Sequence, residues 1–382
     1  MKSVNVGFFT DTYLPNIDGV VTSMLNYRGE LEKRGHKVFV FSSGDRKARM
    51  ENEDKRVFFF RSAKFPLYPQ YKIALFPYSS ASEIAKEKKL DLVHCHALAS
   101  MGLAAIKTSS DLKIPLVGTF HTMVPLAAKK MAGKTAERIL WRAVKAFYSR
   151  FDLVTCPSSA IRQVLSSKGI DSVVVPNAID ERRFNTSLDG SIVKNALGAE
   201  KIVMVAGRLS QEKNVEVIIK AASQVLQECG RDFETKFVIT GDGPARKGLE
   251  KLAKEEGLLG KNIVFTGFLK SEDLPFYYAA ADCFATASTF ETQGLAVLEA
   301  MACGKPVVGA NAMAIPEAVR EGKNGFLFQP GNDVECAEKI CGVLKSPRKK
   351  WDMLSESARK TALEYTVEKS TSKLLKAYAR VL

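Results

Sequence analysis

Two glutamates, Glu291 and Glu299, lie eight positions apart in a stretch suited to binding a phosphorylated ligand. Glu291 falls in a predicted loop after a strand, and a helix that contains Glu299 opens next. The start of a helix presents unpaired N–H groups and a partial positive charge, so it attracts anions. Here those groups belong to Thr292, Gln293, Gly294 and Leu295.

Neither carboxylate is expected to contact the anion itself, because like charges repel. We expect Glu291 and Glu299 to accept hydrogen bonds from sugar hydroxyls, one on each side of a diphosphate. The alternative is a pair of unrelated glutamates, one of them solvated. It is disfavoured because Glu299 stands in an apolar helix, where a carboxylate needs a partner.

Two cations follow an earlier strand in the same half of the chain. Arg208 and Lys213 stand between the predicted strand Ile202–Ala206 and a helix. The Arg208 guanidinium can hold two phosphate oxygens, and the Lys213 ammonium adds a point charge. Together they would neutralise the negative charge on a nucleoside diphosphate leaving group and so stabilise the transition state. These residues predict a site for a phosphate leaving group.

A glycine-rich turn, Gly241–Pro244, closes the predicted strand Lys236–Thr240. With Gly248 it resembles a dinucleotide fingerprint, but its spacing differs from G-x-G-x-x-G. Pro244 also lacks an N–H group that such a site would use. We expect a tight turn with Pro244 at the first position of a helix.

Metal binding is not predicted for this chain. The seven cysteines form no C-x-x-C pairs, and several stand in apolar stretches, which indicates buried, reduced side chains. His94 and His96 share one face of a strand without a third ligand nearby in the sequence, so a structural or site-lining role is expected. His36 is expected on the surface, and no D-x-D pair occurs. No cofactor and no metal ion are therefore expected.

The elements that position these residues alternate along the chain as strand, loop and helix. Buried strands that alternate with helices indicate parallel sheets covered on both faces. In the first half, the predicted strands are Val4–Phe9, Lys37–Ser42, Leu90–His96, Pro115–Thr119, Leu153–Pro157 and Val173–Pro176. In the second half, they are Ile202–Ala206, Lys236–Thr240, Ile263–Thr266, Cys283–Ala287, Pro306–Gly309 and Gly325–Phe328.

The predicted fold class is α/β, with two Rossmann-like doubly wound domains facing a cleft. The first domain covers residues 1–178 and the second covers residues 179–364. A C-terminal helix at about 365–382 is a candidate to pack back on the first domain. Ligands of open α/β sheets bind at the carboxyl ends of the strands, so the functional residues should lie in the loops that follow strands.

The chain carries a formal net charge of +14, and a concentration of this charge lies in one predicted helix within residues 127–150. A stripe of cations at helical spacing is formed by Lys130, Lys134, Arg138, Arg142 and Lys145. Basic amphipathic helices of this kind lie on anionic membrane surfaces. The alternative is a packed helix with a solvated basic face. Nucleic acid is not an expected partner, because no basic and aromatic recognition module is found.

Taken together, these motifs resemble glycosyltransferase family 4, whose members are retaining enzymes with the GT-B fold. The resemblance rests on the E-x7-E pair, the G-R-x4-K run, the GDGP turn and the EAMACGKPVV segment. It implies that Arg208 and Lys213 bind the donor diphosphate, that Glu299 binds the ribose hydroxyls and that Glu291 faces the donor sugar. It also implies same-face attack by the acceptor hydroxyl without a metal, and no dedicated base is assigned.

The resemblance extends to three further places. The loop after the strand Ile263–Thr266, with Phe268 and Leu269, is expected near the nucleotide base. Gly19 matches a flexible glycine loop near the phosphates, although the family often has two glycines there and this chain has Asp18 before Gly19. His121 matches a histidine close to the transferred sugar. With Arg208, Lys213 and Glu291, it completes the expected catalytic set.

The expected activity is transfer of a hexose from a UDP- or GDP-linked donor, such as UDP-glucose, to an acceptor hydroxyl. The ETQG segment is similar to that of diacylglycerol glucosyltransferases, and the chain also resembles phosphatidylinositol mannosyltransferase-type enzymes. With the basic helix, this favours a lipid acceptor and a cytoplasmic protein peripheral on the inner face of the membrane. A soluble sugar, sugar phosphate or polyol acceptor stays open, as does a nucleotide-sugar 2-epimerase-like isomerase.

Overall fold

The computed structural model describes residues 2–16, 18–65, 68–230 and 232–382, while the side chains of residues 64–72 and 126–132 lie outside that description. The chain forms two compact units. The first contains residues 1–178 and 367–382, and the second contains residues 179–366. Each unit is built on one sheet with helices on both faces.

The first unit has an eight-stranded sheet with the order β4-β3-β2-β1-β5-β6-β7-β8. All neighbouring strands are parallel except β3 and β4, which form an antiparallel pair at one edge. The strands are β1 (Asn5–Thr10), β2 (Lys37–Gly44), β3 (Val57–Phe65), β4 (Tyr68–Ala74), β5 (Leu92–Cys95), β6 (Leu116–Thr119), β7 (Leu153–Cys156) and β8 (Val173–Val174).

Helices connect these strands and cover the sheet. They are α1 (Gly19–Lys33), α2 (Arg46–Met50), α3 (Tyr78–Glu87), α4 (Ser100–Leu112), α5 (Val124–Tyr148) and α6 (Ser159–Ser167). Helix α1 begins where the Asp18 carboxylate accepts a hydrogen bond of 2.9 Å from the Val21 N–H, which satisfies one of the unpaired donors of the first turn. Its buried side chains, such as Met24 and Leu31, recur at helical spacing and face the sheet.

The second unit has a six-stranded parallel sheet with the order β11-β10-β9-β12-β13-β14. Its strands are β9 (Lys201–Ala206), β10 (Thr235–Thr240), β11 (Ile263–Gly267), β12 (Cys283–Thr286), β13 (Val307–Ala310) and β14 (Gly325–Phe328). Its helices are α7 (Ser191–Leu197), α8 (Val215–Cys229), α9 (Arg246–Glu255), α10 (Leu274–Ala280), α11 (Leu295–Ala302), α12 (Ile315–Ala318), α13 (Asp333–Leu344) and α14 (Arg348–Ala362).

The last helix, α15 (Val367–Tyr378), belongs to the first unit. Its side chains Leu374 and Tyr378 are buried in the same core as Phe8, Met24 and Val117. The first unit is therefore made of two separate stretches of chain, and residues 179–366 are inserted between them.

All twelve predicted strands are present, and two local predictions were wrong. His36 is not on the surface: it is only 5% exposed, and its Nδ1 accepts a hydrogen bond from the Val4 N–H at 3.2 Å. Pro244 does not open a helix, since α9 begins two residues later at Arg246. The hairpin of β3 and β4 was not predicted. All seven cysteines are buried and none forms a disulfide bond, as expected. No described helix has the length and apolarity that a membrane crossing requires.

Candidate functional site

The loops after β9 and β12 carry the predicted phosphate-binding residues of the second unit. These strands are neighbours in the sheet, yet the chain continues from β9 toward β10 and from β12 toward β13, on opposite sides. Such a switch in strand order opens a crevice at the carboxyl ends of the two strands. Arg208 and Lys213 follow β9, and Glu291 follows β12, so the topology brings them to the same crevice.

The Lys213 ammonium and the Glu291 carboxylate form an ion pair with a distance of 2.5 Å between Nζ and Oε1. Both side chains are partly buried, at 27% and 19% exposure. Arg208 and Gly294 line the same pocket. The structure therefore brings together Arg208, Lys213, Glu291 and the start of α11, and it places the predicted diphosphate ligand Lys213 in direct contact with the predicted sugar ligand Glu291.

The glycine-rich turn after β10 supports the Arg208 loop. The Gly207 N–H donates to the Thr240 carbonyl at 3.1 Å, and the Leu209 N–H donates to the Asp242 carbonyl at 3.0 Å. A Cβ at Gly241 would lie 2.0 Å from the Gly207 carbonyl oxygen, and Gly241 has a φ of +121°. Only glycine permits this approach. The turn therefore supports the backbone of the loop that carries Arg208.

Helix α11 begins at Leu295, directly after Gly294, as predicted. Gly294 has a φ of +82°, in the left-handed region that favours glycine. Gln293 is buried, whereas Thr292 and Leu295 are half-buried. The sequence GLAVLEAMA thus places the first turn of a helix next to the cations of the neighbouring loop, and this arrangement favours the binding of an anion.

Glu299, inside α11, has a partner that the sequence did not reveal. The Tyr278 hydroxyl donates a hydrogen bond of 2.8 Å to the Glu299 carboxylate. Tyr278 lies on α10 and is buried. Burial raises the pKa of Glu299 to about 7, and the Tyr278 hydrogen bond and the Arg183 charge oppose that rise. A carboxyl in this state can either accept or donate a hydrogen bond near neutral pH.

We predict that Glu299→Gln stabilises the second unit at pH 8 but not at pH 5. In the unfolded chain the carboxyl has its ordinary pKa of 4.5, and in the folded chain the pKa is about 7. Between these values the folded state binds more protons, so the stability of the wild type falls as the pH rises through this window. Above pH 7 the folded wild type holds a charged, buried carboxylate, which lowers its free energy of unfolding by on the order of 1–3 kcal/mol. Glutamine carries no charge and avoids this loss.

Urea unfolding at pH 5 and pH 8 measures this difference, with Glu255→Gln on the exposed end of α9 as the control. An equal effect of Glu299→Gln at both pH values would show that the carboxyl does not titrate in this window. The control substitution should leave the unfolding free energy nearly unchanged at both pH values.

The loop after β11 contains the two residues predicted near a nucleotide base. Phe268 is 69% exposed, and Leu269 is half-buried. The Gly267 carbonyl accepts a hydrogen bond from the Gly241 N–H at 2.8 Å, so this loop is joined to the turn that supports the Arg208 loop. An exposed aromatic ring at the carboxyl edge of a sheet is able to stack on a base.

The remaining predicted residues lie in the first unit. Gly19 is the first residue of α1 and not part of the preceding loop. His121 follows β6, is half-buried, and shares a hydrogen bond of 2.9 Å between its Nε2 and the Nδ1 of His96. Among the described residues, no group of three or more histidine, cysteine, aspartate or glutamate side chains is suited to hold a metal ion.

The basic helix differs from its prediction in two ways. Gly133 has non-helical angles (φ +80°, ψ −175°) and divides α5, so the predicted stripe does not run along one continuous helix. Trp141 and Val144 are buried in the first unit and are not available to another surface. Ile139 is 58% exposed. The side chain of Lys130 lies outside the described residues, and the exposed cations are Lys134, Arg138, Arg142 and Lys145.

Two protein-family models match the chain. The model described as "Glycosyltransferase Family 4" matches residues 17–183, and the model described as "Glycosyl transferases group 1" matches residues 191–361. Each model therefore corresponds to one of the two sheets.

Two relatives illustrate the similarity in sequence. Alpha-monoglucosyldiacylglycerol synthase of Streptococcus pneumoniae (strain ATCC BAA-255 / R6) is 32% identical over 344 residues, which are 87% of this chain and 76% of that protein. Sulfoquinovosyl transferase SQD2 of Arabidopsis thaliana is 29% identical over 371 residues, which are 94% of this chain and 70% of that protein.

Solved structures share the fold. Anabaena Alr3699/HepE in complex with UDP-glucose superposes with a TM-score of 0.78 at 24% identity, covering 99% of this chain and 100% of that one. Sucrose-phosphate synthase of Thermosynechococcus elongatus superposes with a TM-score of 0.77 at 18% identity, covering 99% of each chain. With two α/β units built on parallel sheets, the predicted GT-B fold class is confirmed.

Proposed function

Given that the chain belongs to glycosyltransferase family 4, we propose that it transfers a hexose from a nucleotide sugar to a hydroxyl group of a membrane lipid, with retention of the anomeric configuration. The observation that carries the donor half of this proposal is the pocket of the second unit, where Arg208, Lys213 and the start of α11 converge. Two cations and a helix N-terminus suit a diphosphate.

The roles of the donor-site residues follow from their chemistry. Arg208 and Lys213 neutralise the charge that develops on the leaving diphosphate, and α11 contributes the N–H groups of its first turn. Glu299, held by Tyr278 at 2.8 Å, accepts hydrogen bonds from the ribose hydroxyls. Glu291 faces the transferred sugar, and the ring of Phe268 stacks on the base. Metal-free departure of the diphosphate is part of this proposal.

The lipid half of the proposal rests on the relatives and on α5. The Streptococcus pneumoniae protein is named as a synthase of a glucosyldiacylglycerol, and the chain is similar to it over 87% of its length. In this chain, Lys134, Arg138, Arg142 and Lys145 are exposed on α5. Exposed cations near an anionic bilayer each contribute about 1 kcal/mol to binding. We propose a peripheral protein that binds the inner face of the membrane through this helix.

A soluble acceptor is the alternative with the same chemistry. The isomerase alternative has lost its support, because both family models that match the chain describe glycosyl transferases. The relatives include both glucosyl and mannosyl transferases. The solved neighbours with bound uridine nucleotides favour a UDP-linked hexose, and we expect UDP-glucose to be the preferred donor.

The test is the release of nucleoside diphosphate from UDP-glucose, UDP-galactose and GDP-mannose, with and without phosphatidylglycerol vesicles that contain diacylglycerol. We expect release to require the vesicles and radiolabelled hexose to appear in the lipid fraction, with the anomeric configuration of the donor. Release only with soluble sugars or polyols would refute the lipid acceptor. Conversion of the nucleotide sugar without transfer would refute the transferase.

We predict that Arg138→Ala/Arg142→Ala weakens binding to phosphatidylglycerol vesicles by on the order of thirtyfold, because two cations are lost. Vesicle sedimentation measures the binding. The matched control is Lys247→Ala/Lys254→Ala, which removes the same charge from exposed positions of α9 in the other unit. Equal weakening by both double variants would mean that net charge, and not α5, determines the binding.

A further inference from the structure

The ion pair between Lys213 and Glu291 conflicts with the roles expected of its two members. Lys213 is expected to bind the diphosphate of the donor, whereas Glu291 is expected to face the transferred sugar and to avoid the anion. The structure nevertheless places the Oε1 atom of Glu291 2.5 Å from the Nζ atom of Lys213. A carboxylate oxygen at this distance stands where a phosphate oxygen would contact the same ammonium.

The two loops that carry this ion pair are fastened to each other. The side-chain amide of Asn214 donates to the Ala287 carbonyl and to the Thr289 hydroxyl, at 3.1 Å in each case. The Thr289 N–H donates to the Glu212 carbonyl at 3.3 Å. The loop after β9 therefore keeps its spacing from the loop after β12, and the ion pair opens through rotation of its two side chains and not through separation of the loops.

The pocket around the ion pair leaves little space for a ligand beside it. Its free volume is about 20 Å³, which is room for about one water molecule. Arg208, Lys213 and Glu291 all line this pocket, so a diphosphate that contacts both cations also lies against the Glu291 carboxylate. Like charges repel each other strongly where side chains are partly buried, because less water screens them. The phosphate and the carboxylate therefore exclude each other at Lys213.

We propose that Glu291 is an internal counter-ion that the diphosphate displaces from Lys213, and that this exchange favours release of the nucleoside diphosphate after transfer. This inference rests on the proposed function. When the donor binds, Lys213 turns to the diphosphate, and the freed carboxylate accepts a hydrogen bond from a hydroxyl of the donor sugar. After transfer the carboxylate loses that hydroxyl and competes with the product for Lys213. Glu291 thus discriminates between the donor and the nucleoside diphosphate product.

The first test is equilibrium binding, measured by titration calorimetry with UDP, UDP-glucose and uridine, and it requires no turnover. We expect Glu291→Gln to tighten the binding of UDP about tenfold, the size of one charge interaction at a partly buried site. The affinity for UDP-glucose should change much less, because the wild-type carboxylate gains the sugar hydroxyl as a partner. Uridine, which has no phosphate, should bind both proteins equally.

The matched control is Glu234→Gln, which removes the carboxylate of another short ion pair in the same unit. Its Oε1 atom lies 2.6 Å from Lys236 Nζ, at the amino end of β10, and the substitution should leave all three affinities unchanged. An unchanged affinity of Glu291→Gln for UDP would overturn the proposal, and so would equal tightening for UDP and uridine. If the wild type binds neither UDP nor GDP, the donor site and the proposed function fail together.

The second test follows the Lys213 ammonium itself. 1H–15N spectra of lysine side chains report the surroundings of each ammonium, and Lys213→Arg identifies the signal of Lys213. We expect this signal to differ between the wild type and Glu291→Gln without UDP, and to coincide at saturating UDP, because the carboxylate has then left Lys213. Identical signals without UDP would show that the ion pair does not form. Signals that stay different at saturation would show that the carboxylate and the diphosphate share the ammonium. Either result would overturn the displacement.

Discussion

Lys213→Ala should lower kcat by about 10²–10³-fold, because removing one preorganised donor from a site of developing negative charge has an effect of this size. The diphosphate gains negative charge as the bond to the sugar breaks, and the Lys213 ammonium lines the pocket that we propose for the diphosphate. A hydrogen-bond donor that acts mainly on the transition state affects kcat more than KM. Steady-state kinetics with saturating acceptor vesicles measure both constants.

The ion pair with Glu291 provides a sharper version of this experiment. Because Nζ of Lys213 lies 2.5 Å from the Glu291 carboxylate, Lys213→Ala also leaves that carboxylate without its cation. If Lys213 only neutralised Glu291, the double variant Lys213→Ala/Glu291→Gln would match Glu291→Gln in kcat. We expect it to remain at least tenfold slower. Lys220→Ala, on the exposed face of α8, is the control for the loss of a lysine and should leave kcat unchanged.

Gly241→Ala should destabilise the second unit by about 2–6 kcal/mol, because strained backbone and overpacking each cost about 1–3 kcal/mol. The added Cβ would lie 2.0 Å from the Gly207 carbonyl oxygen, and the φ of +121° disfavours any side chain. Relief of the overlap requires movement of the loop that carries Arg208. We therefore also expect weaker donor binding. Urea unfolding and titration with UDP measure the two effects.

Gly248→Ala is the matched control within the same segment. Gly248 lies inside α9, has no positive φ, and nothing lies within 4 Å of its added Cβ. Alanine should stabilise the helix there by about 0.5–1 kcal/mol. Alanine substitutions at two glycines seven residues apart should thus shift the free energy of unfolding in opposite directions. A small effect of Gly241→Ala would show that the turn and the Gly207 loop separate easily, and that the turn does not support the Arg208 loop.

Sequence reasoning succeeded where local patterns determine the structure. Runs rich in β-branched residues such as Ile202–Ala206 favour a buried strand, and alternation with helices then indicates a parallel sheet whose carboxyl edge carries the loops. The family resemblance, and not these patterns, assigns Arg208, Lys213, Glu291 and Gly294 to one donor site, and in the structure all four line one pocket. Their roles toward a donor, and the proposed domain limits, stay predictions.

The errors arose where a distant partner decides the outcome. His36 is buried, and its ring accepts a hydrogen bond from Val4, which is far away in sequence. Tyr278 was missed because nothing in its own segment indicates that its hydroxyl faces Glu299 on another helix. The edge hairpin β3–β4 depends on pairing with β2. The break in α5 did have a local signal, Gly133, since glycine is unfavourable inside a helix.

The return of α15 to the first unit has a consequence for biosynthesis. The sheet of the first unit is translated early, but Leu374 and Tyr378, which complete its core, emerge only after the whole of residues 179–366. About 190 intervening residues take roughly 10–40 s at typical translation rates. During that interval the second unit can fold while the nascent first unit still exposes the apolar surface that α15 later covers. The first unit can thus be completed only after the whole of the second has been synthesised, and chaperones would find their binding surface on it.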